Sequence, residues 1–174
     1  MVFFDKLSLP KRHLAALLLV CSLFFIGNGQ FELFDNSETH YTRVVQEMDH
    51  SKDYLNLYFN GNNWFVHPPL YFWQTNVITS IFGWSNTILR LQSAFFTSLS
   101  VFTLYFLGRL FFMRHIAIMS AIIFGTSFYI VSLGKLAIFD AQLYFCMLSS
   151  LYFILRFIHA DTQQLKWMMY AGVL

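Results

Sequence analysis

Apolar and polar positions alternate in long blocks along this chain rather than residue by residue. Uninterrupted charge-free stretches run over 14–31, 91–108 and 116–134, and a fourth over 141–155 is closed by Arg156. A further one opens at Trp167 and runs to Leu174. A helix that crosses a bilayer needs about 20 mostly apolar residues, fewer where flanking Lys and Arg reach back to the headgroups. The blocks therefore predict an all-α, polytopic transmembrane helix bundle. A signal peptide is the alternative for 14–31, but Gly27-Asn28-Gly29 leads into an acidic segment without a small-x-small cleavage site, and a retained span is expected.

The region 32–89 reads differently. It is too long for a turn and has patterning of its own. Tyr41, Val44, Val45 and Met48 share one face of a short helix over 39–48, Asn60-Gly61-Asn62-Asn63 marks a turn, and Pro68-Pro69 opens a second helix. Leu70, Trp73, Val77, Ile78 and Ile81 fall on one side of that second helix, with Trp64, Tyr71 and Trp84 around it. This is the pattern of interfacial helices lying at headgroup depth in the first outer loop. A span over 70–89 is the alternative, weakened by its polar residues.

Composition agrees. The 174 residues are 57% hydrophobic and 20% aromatic, and only 11% are charged, against about 25% in a soluble domain. A soluble fold of this size has too much surface to hide that much apolar side chain. The net charge of +2 gives no reason to expect a nucleic-acid partner. Cys21 and Cys146 lie inside apolar blocks and read as small buried hydrophobes, not as disulfide or metal ligands.

Charge asymmetry orients the bundle. With the N-terminus in the cytoplasm, the inner segments hold Lys6, Lys11, Arg12, Arg109, Arg114, Arg156 and Lys166, and the outer ones hold Arg43, Lys52, Arg90 and Lys135. That bias obeys the positive-inside rule and suggests a multi-pass protein of a bacterial inner membrane. The acids Glu32, Asp35, Glu38, Glu47, Asp49, Asp53 and Asp140 all fall outside.

Three features carry chemistry. Asp35-Asn36-Ser37-Glu38-Thr39-His40-Tyr41 sets two carboxylates at a helix start, where capping is the structural alternative. His67 precedes the rigid Pro68-Pro69, where a plain loop histidine is the alternative. Asp140 stands at the mouth of an apolar block, where an ionisable group is costly and marks a site, or else serves as an N-cap. The topology puts all three at the same outer face. That suits chemistry between a lipid-borne substrate and a water-side acceptor, and it does not suit an ion-coupled transporter, whose charges lie mid-span.

On these residues the chain resembles the membrane-embedded GT-C glycosyltransferases, which include the protein O-mannosyltransferases and the bacterial aminoarabinose transferases. Glu38, His40 and Tyr41 match the family's first-loop motif, His67-Pro68-Pro69-Leu70 its basic Pro-Pro motif, and Asp140 with Leu143 and Phe145 its third. The resemblance runs from about 14 to 157, the first third or so of a typical member, so a fragment, split gene product or truncated copy is expected. It implies sugar transfer from a polyprenyl-phosphate donor to a protein or lipid-linked glycan acceptor. Asp35 or Glu38 would then be the base, His67 and His40 with Tyr41 would contact substrate phosphate, and Asp140 would position the acceptor. Glu38, His67 and Asp140 are residue types that suit a divalent metal, although their spacing demands none. Two positions depart from the family pattern: Ser37 stands where the family has the Asp of its Asp-Glu pair, and Val66 where many bacterial members have Glu. A non-catalytic, degenerate protein that binds a polyprenyl lipid is the alternative those departures favour.

Overall fold

The computed structural model of the chain describes residues 9–33 and 36–158. Its elements run α1 (Lys11–Phe25), α2 (Asn36–Ser51), a two-stranded hairpin of β1 (Tyr58–Phe59) and β2 (Asn62–Asn63), α3 (Leu70–Phe82), α4 (Asn86–Phe111), α5 (Arg114–Thr126), α6 (Phe128–Lys135) and α7 (Asp140–Ile158). The chain is an integral membrane helix bundle. Among the described residues α4 and α7 are each long and apolar enough to cross a membrane, and α5 with α6 makes a third crossing if that bent pair is one span. The last apolar block, from Trp167, lies outside the described residues, as does Asp35.

Helix α4 is the axis of the bundle, and α1, α3, α5, α6 and α7 all pack on it. Its 26 residues reach about 39 Å, beyond the roughly 30 Å of a hydrocarbon core. Its buried stripe is small and polar: Ser93, Ala94, Thr97, Ser98, Ser100 and Val101. Small side chains let helix backbones approach closely where lipid removes the hydrophobic drive for association. Ser98 and Ser100 satisfy their hydroxyls by donating to the carbonyls of Ala94 and Phe96, at 2.8 and 3.0 Å. Phe95 and Phe111 turn outward, 52% and 41% exposed, whereas Tyr105 joins the buried face.

The block over 116–134 is not one helix. It breaks at Ser127, and α5 and α6 meet at 60°. The Gly125-Thr126-Ser127 run explains the break. Ser127 turns back on α5 twice, its Oγ and its N–H both donating to Phe124 O at 2.8 and 3.2 Å, which closes the helix with a tighter turn before α6 begins. The block over 14–31 is helical only through Phe25, 15 residues or about 22 Å.

The segment between α1 and α4 is folded. Helix α2 is longer than the pattern over 39–48 predicts, and Val44, Val45 and Met48 on its inner face are fully buried. The hairpin turns at Asn60 and Gly61, with φ of 52° and 77°, as a two-residue type I′ turn demands. Glu47 on α2 holds that turn, accepting the Asn60 and Gly61 N–H groups at 2.8 and 3.0 Å. Helix α3 stops at Gly83 after 13 residues, about 20 Å, short of the length a helix needs to cross a bilayer. It is packed inside out: Thr75, Asn76 and Thr79 are buried against the protein, whereas Val77 and Ile81 are 56% and 68% exposed. A helix with its apolar side turned outward belongs against lipid.

Candidate active site

At the acidic end of the bundle, Glu38 and Arg90 form a fully buried ion pair, 0% and 2% exposed. Arg90 Nε donates to Glu38 Oε1 at 2.7 Å and Nη2 to Oε2 at 3.0 Å, the forked geometry that suits a carboxylate. The remaining guanidinium N–H groups go to the carbonyls of Asn28, Phe31 and Glu32, at 2.7, 3.0 and 3.0 Å. Glu38 Oε1 also accepts the Ala137 N–H at 2.7 Å. The pair thus joins the strand of chain leading to Asp35, the start of α2, the start of α4 and the link into α7. As placed, Glu38 has no face open to an acceptor hydroxyl. In this arrangement Glu38 acts as a structural clamp, both its oxygens accepting hydrogen bonds from Arg90 or the Ala137 N–H.

Beside the clamp, His67 is held in an aromatic box. Its Nε2 and the Tyr41 hydroxyl are 3.0 Å apart and hydrogen-bonded. Its ring lies 4.5 Å from Phe139, 5.3 Å from Trp64 and 5.4 Å from Tyr41, between centroids. Phe139 precedes Asp140, which opens α7 where a carboxylate favours the helix dipole. His67 and Asp140 are close enough for their charges to interact. Tyr71 is buried within electrostatic reach of Glu38, Tyr41 and Asp140, and burial pushes its phenol well above the ordinary value, so it stays neutral. Three segments distant in sequence, at Tyr41, His67 and Asp140, therefore meet.

Two expectations do not share that place. His40 is one helical step from Tyr41 and turns to the hairpin, its ring 4.5 Å from Phe59. Among the described residues no hydrogen bond or ring contact joins it to His67. A metal held by Glu38, His67 and Asp140 does not fit either, since Arg90 and Ala137 occupy the Glu38 oxygens and no group of three ligating side chains converges among the described residues.

The sequence reading missed Arg90, counting it only as an outer charge. A lone arginine at the mouth of an apolar block was the available signal, since such a group needs a partner. It also missed Gln92, whose Oε1 accepts from Thr75 Oγ1 at 2.8 Å and whose Nε2 donates to Gln74 and Gln142 at 2.8 and 3.2 Å. Gln92 thereby ties α3, which follows His67, to α7, which carries Asp140.

The family model described as dolichyl-phosphate-mannose-protein mannosyltransferase matches residues 66–174. The chain belongs to this family. Within it, the chain is 27% identical over 158 residues to the undecaprenyl phosphate-alpha-4-amino-4-deoxy-L-arabinose arabinosyl transferase 2 of Proteus mirabilis, covering 88% of this chain and 28% of that protein. It is 29% identical over 144 residues to the corresponding transferase of Yersinia pestis, covering 79% and 25%. The fold matches the crystal structures of ArnT from Cupriavidus metallidurans. With undecaprenyl phosphate bound, the TM-score is 0.78 at 20% identity, covering 91% of this chain and 30% of that one. In the apo state the TM-score is 0.80 at 21% identity, covering 92% and 30%. The chain thus spans about a quarter of the length of the curated relatives it matches.

Proposed function

We propose that this chain is the site-bearing N-terminal portion of a GT-C glycosyltransferase that moves a sugar from a polyprenyl phosphate to a protein or lipid-linked glycan at the outer face of a bacterial inner membrane. The observation that carries this reading is the meeting of His67, Tyr41 and Asp140 at the acidic end of an apolar bundle. The family supports the donor class, and the relatives that print undecaprenyl phosphate in their names point the same way. The N-terminus is cytoplasmic in this reading, because the basic end of the bundle carries it.

In the reaction, a carboxylate takes the proton from the acceptor hydroxyl. The freed oxygen attacks the anomeric carbon, and the bond from that carbon to the phosphate oxygen breaks. The electron pair leaves with the polyprenyl phosphate, and the anomeric centre inverts. A protonated His67 donates to the departing phosphate, where developing charge makes a donor most valuable. Tyr41 fixes the imidazole, Asp140 positions the acceptor, and Glu38 with Arg90 fixes the chain on which Asp35 sits. With Glu38 buried in its pair, the base falls to Asp35. His40 is left as a secondary contact on the hairpin side.

The test is sugar transfer by the full-length protein in membrane vesicles loaded with a labelled polyprenyl-phosphate sugar. His67→Ala should weaken donor binding about ten- to a hundredfold, the worth of a charge-assisted hydrogen bond. Asp35→Asn should abolish transfer while leaving donor binding intact. A second reading, a degenerate lipid-binding protein, draws on Ser37 and Val66. It requires that the parent show no transfer, that Asp35→Asn change nothing, and that Ser37→Asp restore activity.

A further inference from the structure

One turn of α4 holds the segments that meet at the candidate site. Arg90 carries the clamp to Glu38. Ser93 Oγ donates to Ile138 O at 3.0 Å, in the link before α7. Gln92 lies between them in sequence, 4% exposed, and its amide reaches two other helices. Its Nε2 donates to Gln74 Oε1 on α3 at 2.8 Å and to Gln142 Oε1 on α7 at 3.2 Å. Its Oε1 lies 2.8 Å from Thr75 Oγ1, whose single proton is shared with Tyr71 O at 2.9 Å. Both N–H groups and the carbonyl of this amide are thus engaged, in a buried setting where a polar group without a partner is costly. Among the described residues no hydrogen bond joins α3 to α7 directly, so Gln92 is the polar joint between them.

The two helices carry the two halves of the site. The first half assembles without Gln92. His67 bonds Tyr41 at 3.0 Å, and Tyr41 packs on Tyr71 and Phe72 of α3, with ring centroids 6.0 and 5.8 Å apart. Trp73 Nε1 donates to Tyr54 O at 2.6 Å and anchors the start of α3 to the segment after α2. The second half is Asp140, the first residue of α7. Bonds at the Ala137 N–H and Ile138 O tether the link before it by the backbone. Gln142 acts differently, because it holds the first turn of α7 by a side chain. Residues two apart on a helix face nearly opposite ways. Fixing Gln142 against α4 therefore sets the direction in which Asp140 leaves α7.

We propose, on the transferase reading of this site, that Gln92 is a positioning residue for sugar transfer. One buried amide sets the donor half, His67 with Tyr41, against the acceptor half, Asp140, and meets neither substrate. The consequence is an asymmetry. Loss of the amide leaves the donor half assembled, so a polyprenyl phosphate still binds. The attacking hydroxyl and the anomeric carbon are then no longer held in line, and a misplacement on the order of 1 Å costs about a hundredfold in rate.

The experiment uses the full-length protein in membrane vesicles. Labelled undecaprenyl-phosphate mannose and undecaprenyl-phosphate 4-amino-4-deoxy-L-arabinose are each offered as donor to the acceptors the vesicles carry, and binding is read separately with undecaprenyl phosphate. Gln92→Met keeps the length of the side chain and removes its hydrogen bonds. It should lower the maximal rate per folded protein about ten- to a hundredfold and leave the undecaprenyl phosphate dissociation constant at the parent's value. Gln142→Met removes one arm and spares α3, and should lower the rate too. The double variant should be no slower than Gln92→Met, because both act through one joint. Ser100→Ala, whose hydroxyl donates within α4, should match the parent. If Gln92→Met does not fold, Gln142→Met carries the same test. A parent that transfers sugar, with variants that keep its maximal rate whatever their melting temperature, overturns the proposal alone. A loss of rate matched by an equal loss of donor binding, or losses that multiply in the double variant, overturn it as well. A parent that transfers neither sugar overturns the transferase reading and the proposal with it.

Discussion

Arg90 has five N–H donors, and every one has an acceptor within 3.0 Å. A buried ion pair satisfied to this degree is costly to break from one side, because the orphaned Glu38 remains in the protein without a counter-charge. Arg90→Ala should cost about 3–5 kcal/mol in detergent unfolding, and Arg90→Lys should lose much of the same, since an ammonium cannot supply the fork. A Lys variant as stable as the parent would mean the geometry is incidental. Asp53 gives a second expectation. Its carboxylate accepts from Asn56 Nδ2, from the Asn56 and Leu55 N–H groups and from the Tyr58 hydroxyl, and these bonds hold its pKa at about 2. The folded value lies below the unfolded one. The turn's contribution is therefore complete above about pH 4 and is lost as pH falls through about 2. The difference in melting temperature between the parent and Asp53→Ala should be constant from pH 7 to about 5 and vanish on approach to pH 2. At the candidate site, Asp140 and His67 stand out in the sequence because each is a polar group in an apolar setting. Arg90 does not, because a charge at the end of a block reads equally well as a boundary marker, and only the fold brings Glu38 to it.

Elements were legible where periodicity or punctuation governs them. The helix at α2, the Asn-Gly turn and the Pro-Pro start of α3 follow from local chemistry. The bend between α5 and α6 was hidden because every residue from Ile116 to Gly134 is uncharged, and an apolar count cannot see Ser127 turning back on α5. The sequence also could not show which side of α3 faces the protein; that depends on Gln92 and Gln142, far along the chain. Gly125, just before the bend, packs where α1, α4 and α5 meet. A Cβ there would lie 2.5 Å from Val20 Cγ1 and 3.0 Å from Val101 Cγ2. Gly125→Ala should destabilise by about 1–3 kcal/mol, the usual cost of overpacking, and Val20→Ala in the same chain should recover part of it. A destabilisation untouched by Val20→Ala would place the strain elsewhere.

At the scale of the molecule, the segregation of charge predicts an orientation with the N-terminus in the cytoplasm. In intact cells lacking Cys21 and Cys146, an impermeant thiol reagent should label a cysteine placed at Asn62 and spare one at His115. The reverse pattern would invert the bundle and carry the site to the cytoplasmic side. The clamp also couples parts of the chain that emerge at different times. Glu38 and the Ala137 N–H are 99 positions apart. During synthesis the segment between α1 and α4 therefore exists for a long interval with its central carboxylate lacking one donor, until α5, α6 and the link before α7 have been made. The carboxylate thus gains its last donor only when the link before α7 has been made, so the finished clamp depends on the crossings that come after the loop.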